Sequence, residues 1–305
     1  MGDNKKSEYK FEYFVVCFID LLGQSNHLKK WSKFAFPETE EQKVKNAIFD
    51  SVGSIFKVRE QFEHFFNSFN NDGNLSSHFN YLASNELHEQ LQRSKECKLG
   101  IQQFSDSFVF YAPLFNTYGD RTIAPLTQML LACAIVTQES LLYQIPLRGA
   151  VTIGTGVELE PGNFYGPALA KAYEIERSSA CYPRVLIDFE VEDFINSGSY
   201  SDHHDMNRVM SGISRRICKQ LIHHEKCEPY GYAMVDFMSE YINNITNDDP
   251  DLNQQTADCM YNFAVKEFKK FSKSNLKLAY KYRRLLNYMN EKKCLAKQHA
   301  VASLR

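Results

Sequence analysis

The run Phe14-Val15-Val16-Cys17-Phe18-Ile19-Asp20-Leu21-Leu22-Gly23 decides the fold. Its first six residues are apolar and rich in β-formers, which reads as a buried strand, and the run ends on a carboxylate and a glycine. Further along, Phe104-Ser105-Asp106-Ser107-Phe108-Val109-Phe110 again joins an aspartate to a buried strand. An unpaired ionised carboxylate in an apolar setting costs several kcal/mol, so each aspartate calls for a compensating cation or for donors. One divalent metal, or a pair, would serve both. Hard cations such as Mg²⁺ take one or two protein carboxylates and leave their other positions to water and phosphate, which points to nucleotide chemistry.

At 305 residues the chain suits one large domain with an appendage, or two domains. A formal net charge of −2 argues against a general nucleic-acid binder, which would show a basic face. Lys266, Lys269, Lys270, Lys273, Lys277, Lys281, Arg283 and Arg284 do cluster near the C-terminus, where they read as a solvated helix face. The 23 Phe and 17 Tyr are enough for a sizeable core. No apolar run approaches the roughly 18 to 20 residues of a membrane span, and Met1 to Tyr9 lacks a secretory hydrophobic stretch. The expectation is a soluble, cytoplasmic protein with neither membrane nor nucleic acid as partner. Its eight cysteines are scattered singly without a CxxC pair, as free reduced thiols would be.

After the first strand, Val44, Ile48, Val52, Ile55 and Phe56 mark a helix from about Val44 to Phe69, closed by the loop Asn70 to Asn74. A second helical piece spans about Phe79 to Lys95. Leu99 to Pro113 reads as two strands meeting at a tight turn on Ser105-Asp106, and Pro125 to Tyr143 as a strongly apolar helix. Leu147 to Val157 is a strand closing in glycines, Asn163 to Glu176 a turn feeding a helix, Arg184 to Asp188 a strand, and Tyr232 to Phe237 the last one. From Pro250 onward the pattern is helical, with an apolar stripe on Met260, Phe263, Ala264, Phe268 and Phe271. The order implies an α+β fold, one antiparallel-rich sheet with helices on one face.

In that order the segments resemble the class III nucleotide cyclases, the adenylate and guanylate cyclase family. The opening motif of the family reads here Phe18-Ile19-Asp20-Leu21-Leu22-Gly23-Gln24-Ser25, its second metal strand Ser105-Asp106, and its arginine strand Leu147-Arg148-Gly149-Ala150-Val151-Thr152-Ile153-Gly154-Thr155-Gly156. Tyr165-Gly166 to Ile187 resembles its glycine, helix and strand segment, so the likeness covers about residues 13 to 190. The resemblance implies a ferredoxin-like cyclase core over residues 10–240 with a helical extension over 250–305 packed on it. It further implies two Mn²⁺ or Mg²⁺ ions on Asp20 and Asp106 with the Leu21 carbonyl as an added ligand, the triphosphate held by the amides of Leu22, Gly23 and Gln24, and Arg148 on the β/γ-phosphates. The reaction implied is attack of the ribose 3′-oxygen on the α-phosphorus with release of pyrophosphate, in a homodimer.

Departures narrow the expectation. Purine cyclases carry an Asn and, four residues on, an Arg in the helix after the glycine, where this chain has Ala170 and Glu174. The adenine-reading lysine is replaced by Gln102, and its acidic partner by Asn163, which makes these the base-binding candidates. With Tyr182-Pro183-Arg184 leading into a strand and Lys281-Tyr282-Arg283-Arg284 in the tail, the chain looks most like the bacterial pyrimidine cyclases of anti-phage defence. These make cyclic CMP or cyclic UMP from CTP or UTP to switch on a partner effector. A cyclase-like domain that binds a nucleotide without turning it over, as a sensor or scaffold, is the alternative. Residue by residue, Asp20 also suits a helix N-cap, Asp106 a hairpin turn, Arg148 a strand-end charge, Gln102 an outward strand position and Asn163 the Pro161-Gly162-Asn163 turn. Glu174 and Glu176 read as surface charges. His223-His224-Glu225 with Cys227 lacks a second pair at zinc spacing, and Gly154-Thr155-Gly156 lacks the third glycine of a dinucleotide fingerprint.

Overall fold

A computed structural model describes residues 11–23, 38–71, 97–115, 121–197, 205–226, 228–246 and 249–302. Strand β1 (Glu12–Leu21) runs through the middle of the sheet, antiparallel to β3 (Ser107–Pro113) on one side and to β4 (Leu147–Glu160) on the other. β2 (Gly100–Phe104) forms a hairpin with β3 through Ser105 and Asp106, Ser105 taking the left-handed φ of 57° that the tight turn needs. Beyond β4 lie β6 (Val185–Ile187), β8 (Ala233–Val235) and β7 (Ile222–His223), giving the order β2-β3-β1-β4-β6-β8-β7, while β5 (Asn163–Tyr165) folds back on the end of β4. Among the described pairings β4–β6 alone is parallel, so the sheet is mixed and antiparallel-rich in an α+β fold.

β1 is buried on both faces, and the two faces have different covers. Val15, Cys17, Ile19 and Leu21 belong to the main core with Val58, Phe62 and Phe66 of α1 (Glu38–Asn71) and with α2 (Ala124–Leu142). Phe62 stacks on Phe110 of β3 at 3.7 Å between ring centroids. Phe14, Val16 and Phe18 pack instead with Phe164 and with Ala168 and Ala172 of α3 (Pro167–Ser179). Helices on one face is therefore a reading the structure corrects: the second face is as apolar as the first, and the small Ala168 and Ala172 let α3 lie close upon it. A Cβ at Gly154 would already come within 3.3 Å of the Ala168 Cβ.

α1 turns a different stripe inward from the one its first apolar residues suggest. Val44, Ser51, Val58, Phe62 and Phe66 are buried, whereas Ile48, Val52 and Phe56 are exposed. The remaining helices are α4 (Phe189–Ser197), α5 (Asp205–Gln220), α6 (Glu240–Thr246), α7 (Pro250–Phe271) and α8 (Leu276–Ala302). Met260, Phe263 and Ala264 of α7 and Tyr282, Leu285, Tyr288 and Met289 of α8 enter the same core as the sheet. Tyr288 Oη donates to Asp236 Oδ1 at 2.7 Å, and Lys292 pairs with the same carboxylate, which ties α8 to the end of β8. The helix expected over Phe79 to Lys95 lies outside the described residues. Among the described residues no helix is long and apolar enough to cross a membrane.

Candidate active site

In the sheet register Asp20 stands opposite Ser107 of β3 and opposite Arg148 of β4. Directly paired residues on neighbouring strands project to the same face, so the three side chains meet on the face that α3 covers. Ser107 Oγ donates to Asp20 Oδ1 at 2.8 Å, and Arg148 donates to Asp20 Oδ2 from Nη2 at 3.1 Å and from Nε at 3.3 Å. Asp106 precedes Ser107 in the hairpin turn, and its carbonyl accepts from the Leu21 N–H at 3.2 Å. The two aspartates and the arginine singled out in the sequence are thus brought to one end of three adjoining strands.

A fourth charge joins them. Glu176 Oε1 lies 2.6 Å from Arg148 Nε with only 3 % of its side chain exposed. It is a close ion contact without an aligned donor, the Nε–H being directed toward Asp20. Burial pushes the Glu176 carboxyl up, the Arg148 guanidinium opposes this, the Asp20 charge adds to it and the Lys281 ammonium opposes it again, leaving the group at about 7. Glu176 thus departs from the surface charge read in the sequence, while Glu174, two residues earlier, is exposed. A helical-wheel signal was there: Ala168, Ala172 and Glu176 follow one another at four-residue steps along the buried stripe of α3. Lys281 had no such local signal, because its approach depends on how α8 docks.

The phosphate-binding expectation needs one correction. The Leu22 N–H donates to the Pro146 carbonyl at 2.8 Å, so this amide closes the strand end and does not face a ligand. Gly23, at φ 96° and exposed, holds the turn that follows, and Gln24 lies outside the described residues. Gln102 pairs with Val109, two rows along the strands from Asp20 and Ser107, and its Oε1 accepts from the Phe164 N–H at 3.0 Å. It therefore tethers β5 to β2. Asn163, the neighbour of Phe164, is exposed, so the two base-binding candidates are close together, one of them with a structural bond already made.

The histidine run separates. His223 is buried edge-on to Tyr288, His224 reaches Glu192 at 3.1 Å, and Glu225 pairs with Arg184. Among the described residues no group of three or more His, Cys, Asp and Glu forms a ready metal cage. Asp20 and Asp106 come to the same strand end, and two carboxylates are the number that a hard cation takes from a protein when phosphates and water complete its shell. Arg148 is the charge that neutralises Asp20 in the arrangement seen. No family model matches the chain, and no curated protein matches it either.

Proposed function

We propose that the protein is a nucleotide cyclase that converts CTP or UTP to the 3′,5′-cyclic monophosphate and pyrophosphate. It works in the cytoplasm as a homodimer and produces a messenger for a partner effector in anti-phage defence. The observation that carries this reading is the in-register meeting of Asp20, Ser107 and Arg148 beside Asp106 on one face of the central strands. Asp20 and Asp106, with the Leu21 carbonyl, would hold Mg²⁺ or Mn²⁺. The ion would supply the charge that makes the ribose 3′-oxygen a nucleophile and steadies the departing oxygens. Arg148, released from Asp20, turns its guanidinium to the β- and γ-phosphates. Glu176 limits how far that guanidinium can move, and Ser107 keeps the Asp20 carboxylate oriented while the arginine is away.

A binder without turnover is favoured by one specific observation: α3 presents Ala170 and Glu174, both exposed, where a purine cyclase places its asparagine and arginine. Incubating the purified chain with each of the four nucleoside triphosphates and Mn²⁺, and weighing the products, separates the two. Cyclic CMP or cyclic UMP with pyrophosphate is the expected result. Nucleotide binding with no product would establish the binder, and an active, strictly monomeric enzyme in sedimentation would remove the dimer.

A further inference from the structure

Helix α1 runs for 34 residues and carries apolar side chains on two opposite sides. Val44, Ser51, Val58, Phe62 and Phe66 form the side buried against the core. At 3.6 residues per turn, Lys45, Phe49, Val52, Phe56 and Glu60 line the opposite side with Gly53 beside Val52, and all six are exposed. Phe49 is 71 % and Phe56 49 % exposed, which puts both rings outside the core and not at its margin. An apolar stripe of this kind, ended by charges, is what an interaction surface presents.

Gly53 adds a second observation. Glycine destabilises a helix interior relative to alanine, yet among the described residues nothing lies within 4 Å of a Cβ placed here. No contact within the chain requires the glycine, whereas a second backbone crossing at this point has room to approach closely.

The stripe is self-complementary in charge as well as in shape. Residues 49 and 56 are equidistant from the midpoint between Val52 and Gly53, and so are residues 45 and 60. Two such helices laid antiparallel about a two-fold axis through that midpoint bring each Phe49 to the partner's Phe56 and each Lys45 to the partner's Glu60. Lys45 already pairs with Glu41 of its own helix at 2.7 Å, and an ammonium with three donors can serve both acids. A parallel pairing would instead set Lys45 against lysine and Glu60 against glutamate, so the charges select the antiparallel one. From Lys45 to Glu60 the stripe is about 22 Å long at 1.5 Å per residue.

We propose that two copies of the chain associate through this face of α1, antiparallel and about a two-fold axis between Val52 and Gly53. This rests on the reading of the protein as a homodimer, and adds the surface and the symmetry that form it.

Sedimentation equilibrium of the full chain over a wide concentration range tests the interface, with circular dichroism to confirm that each variant is folded. Wild type is expected to be dimeric. Phe49→Glu and Phe56→Glu should each weaken association about a hundredfold or more, since every substitution counts twice across the axis. Leu276→Glu, at an exposed apolar position on α8, should leave it unchanged. Lys45→Glu and Glu60→Lys should each weaken it about tenfold, and the double variant, which restores opposite charges across the axis, should recover most of the loss. Should either phenylalanine variant fail to fold, the charge exchange decides. A double variant no stronger than the single ones overturns the antiparallel register. A dimeric wild type with unchanged association in all these variants overturns the α1 interface and leaves the homodimer standing, whereas a monomeric wild type overturns both.

Discussion

Arg148 Nε lies 2.6 Å from Glu176 Oε1 while the same guanidinium bonds Asp20 Oδ2. One cation is therefore shared between an acid on the central strand and an acid on the helix above it. The shared guanidinium thereby links the strand-end carboxylate to α3. Side-chain exposure of about a fifth for Asp20 and Arg148, against 3 % for Glu176, shows which end of the pair faces solvent.

The raised Glu176 carboxyl gives a pH signature. Its proton is held in the folded state up to about 7 against an ordinary 4.5, so between those values the native state binds more protons than the unfolded one. Stability must then fall as pH rises from about 4.5 through 7 and level off above, by at most about 3 kcal/mol. In Glu176→Gln this component is absent. Its Tm relative to wild type should increase from pH 5 to about pH 7 and change little above that, and Tm curves that run parallel throughout would rule out the buried acid as the source.

Asp20→Ala and Asp106→Ala should each lower cyclisation by roughly a hundredfold or more, the scale on which a preorganised charge acts, while the circular dichroism of both stays native. Neither carboxylate supports the core, since Asp20 is a partly exposed strand end and Asp106 a turn residue. Wild-type turnover in either variant at saturating Mn²⁺ would exclude it from the reaction.

Much of this site was legible because its residues are local to strongly patterned strands. The apolar run to Asp20 and the Ser105-Asp106 turn each announce their own geometry, and antiparallel pairing then brings them to one end. What escaped depends on distant chain. The Leu22 amide is engaged by Pro146, Glu176 is buried against Arg148 of β4, and Gln102 is bound by the backbone of β5. Strands of two or three residues such as β5 and β7 are too short to show a period. α1 failed differently: its 34 residues carry apolar side chains on more than one face, and only packing against Phe110 chooses between them.

Arg184 should be the costliest single charge to remove. It is fully buried between Glu225 and Glu228, and Glu228 has 2 % of its side chain exposed. Arg184→Leu leaves these carboxylates with Arg284 alone at 3.4 and 3.9 Å, and breaking a buried pair in this way costs about 3 to 5 kcal/mol. Arg284→Leu, at a 13 % exposed position, should cost markedly less. Urea denaturation of the two variants measures the difference, and equal midpoints would show that the network is not anchored on Arg184.

The last expectation concerns the base. A glutamine amide can both donate and accept, so Gln102 by its identity alone suits cytosine or uracil. In the structure its Oε1 accepts from the Phe164 N–H at 3.0 Å, and because a backbone N–H can only donate, this contact fixes which end of the amide is oxygen. Nε2 is left as a donor. A base whose 4-position meets Gln102 must then accept a hydrogen bond, which the carbonyl of uracil does and the amino group of cytosine does not. Presenting donor to donor leaves buried polar groups unpaired at about 1 to 3 kcal/mol, roughly tenfold in kcat/KM for each 1.4 kcal/mol. UTP should therefore be preferred over CTP by about tenfold or more, and Gln102→Glu, which exchanges the donor for an acceptor, should narrow or invert that preference. The measurement is kcat/KM for both nucleotides in wild type and variant; a wild type that favours CTP, or a variant with unchanged selectivity, would remove Gln102 from base reading and leave it the tether of β5.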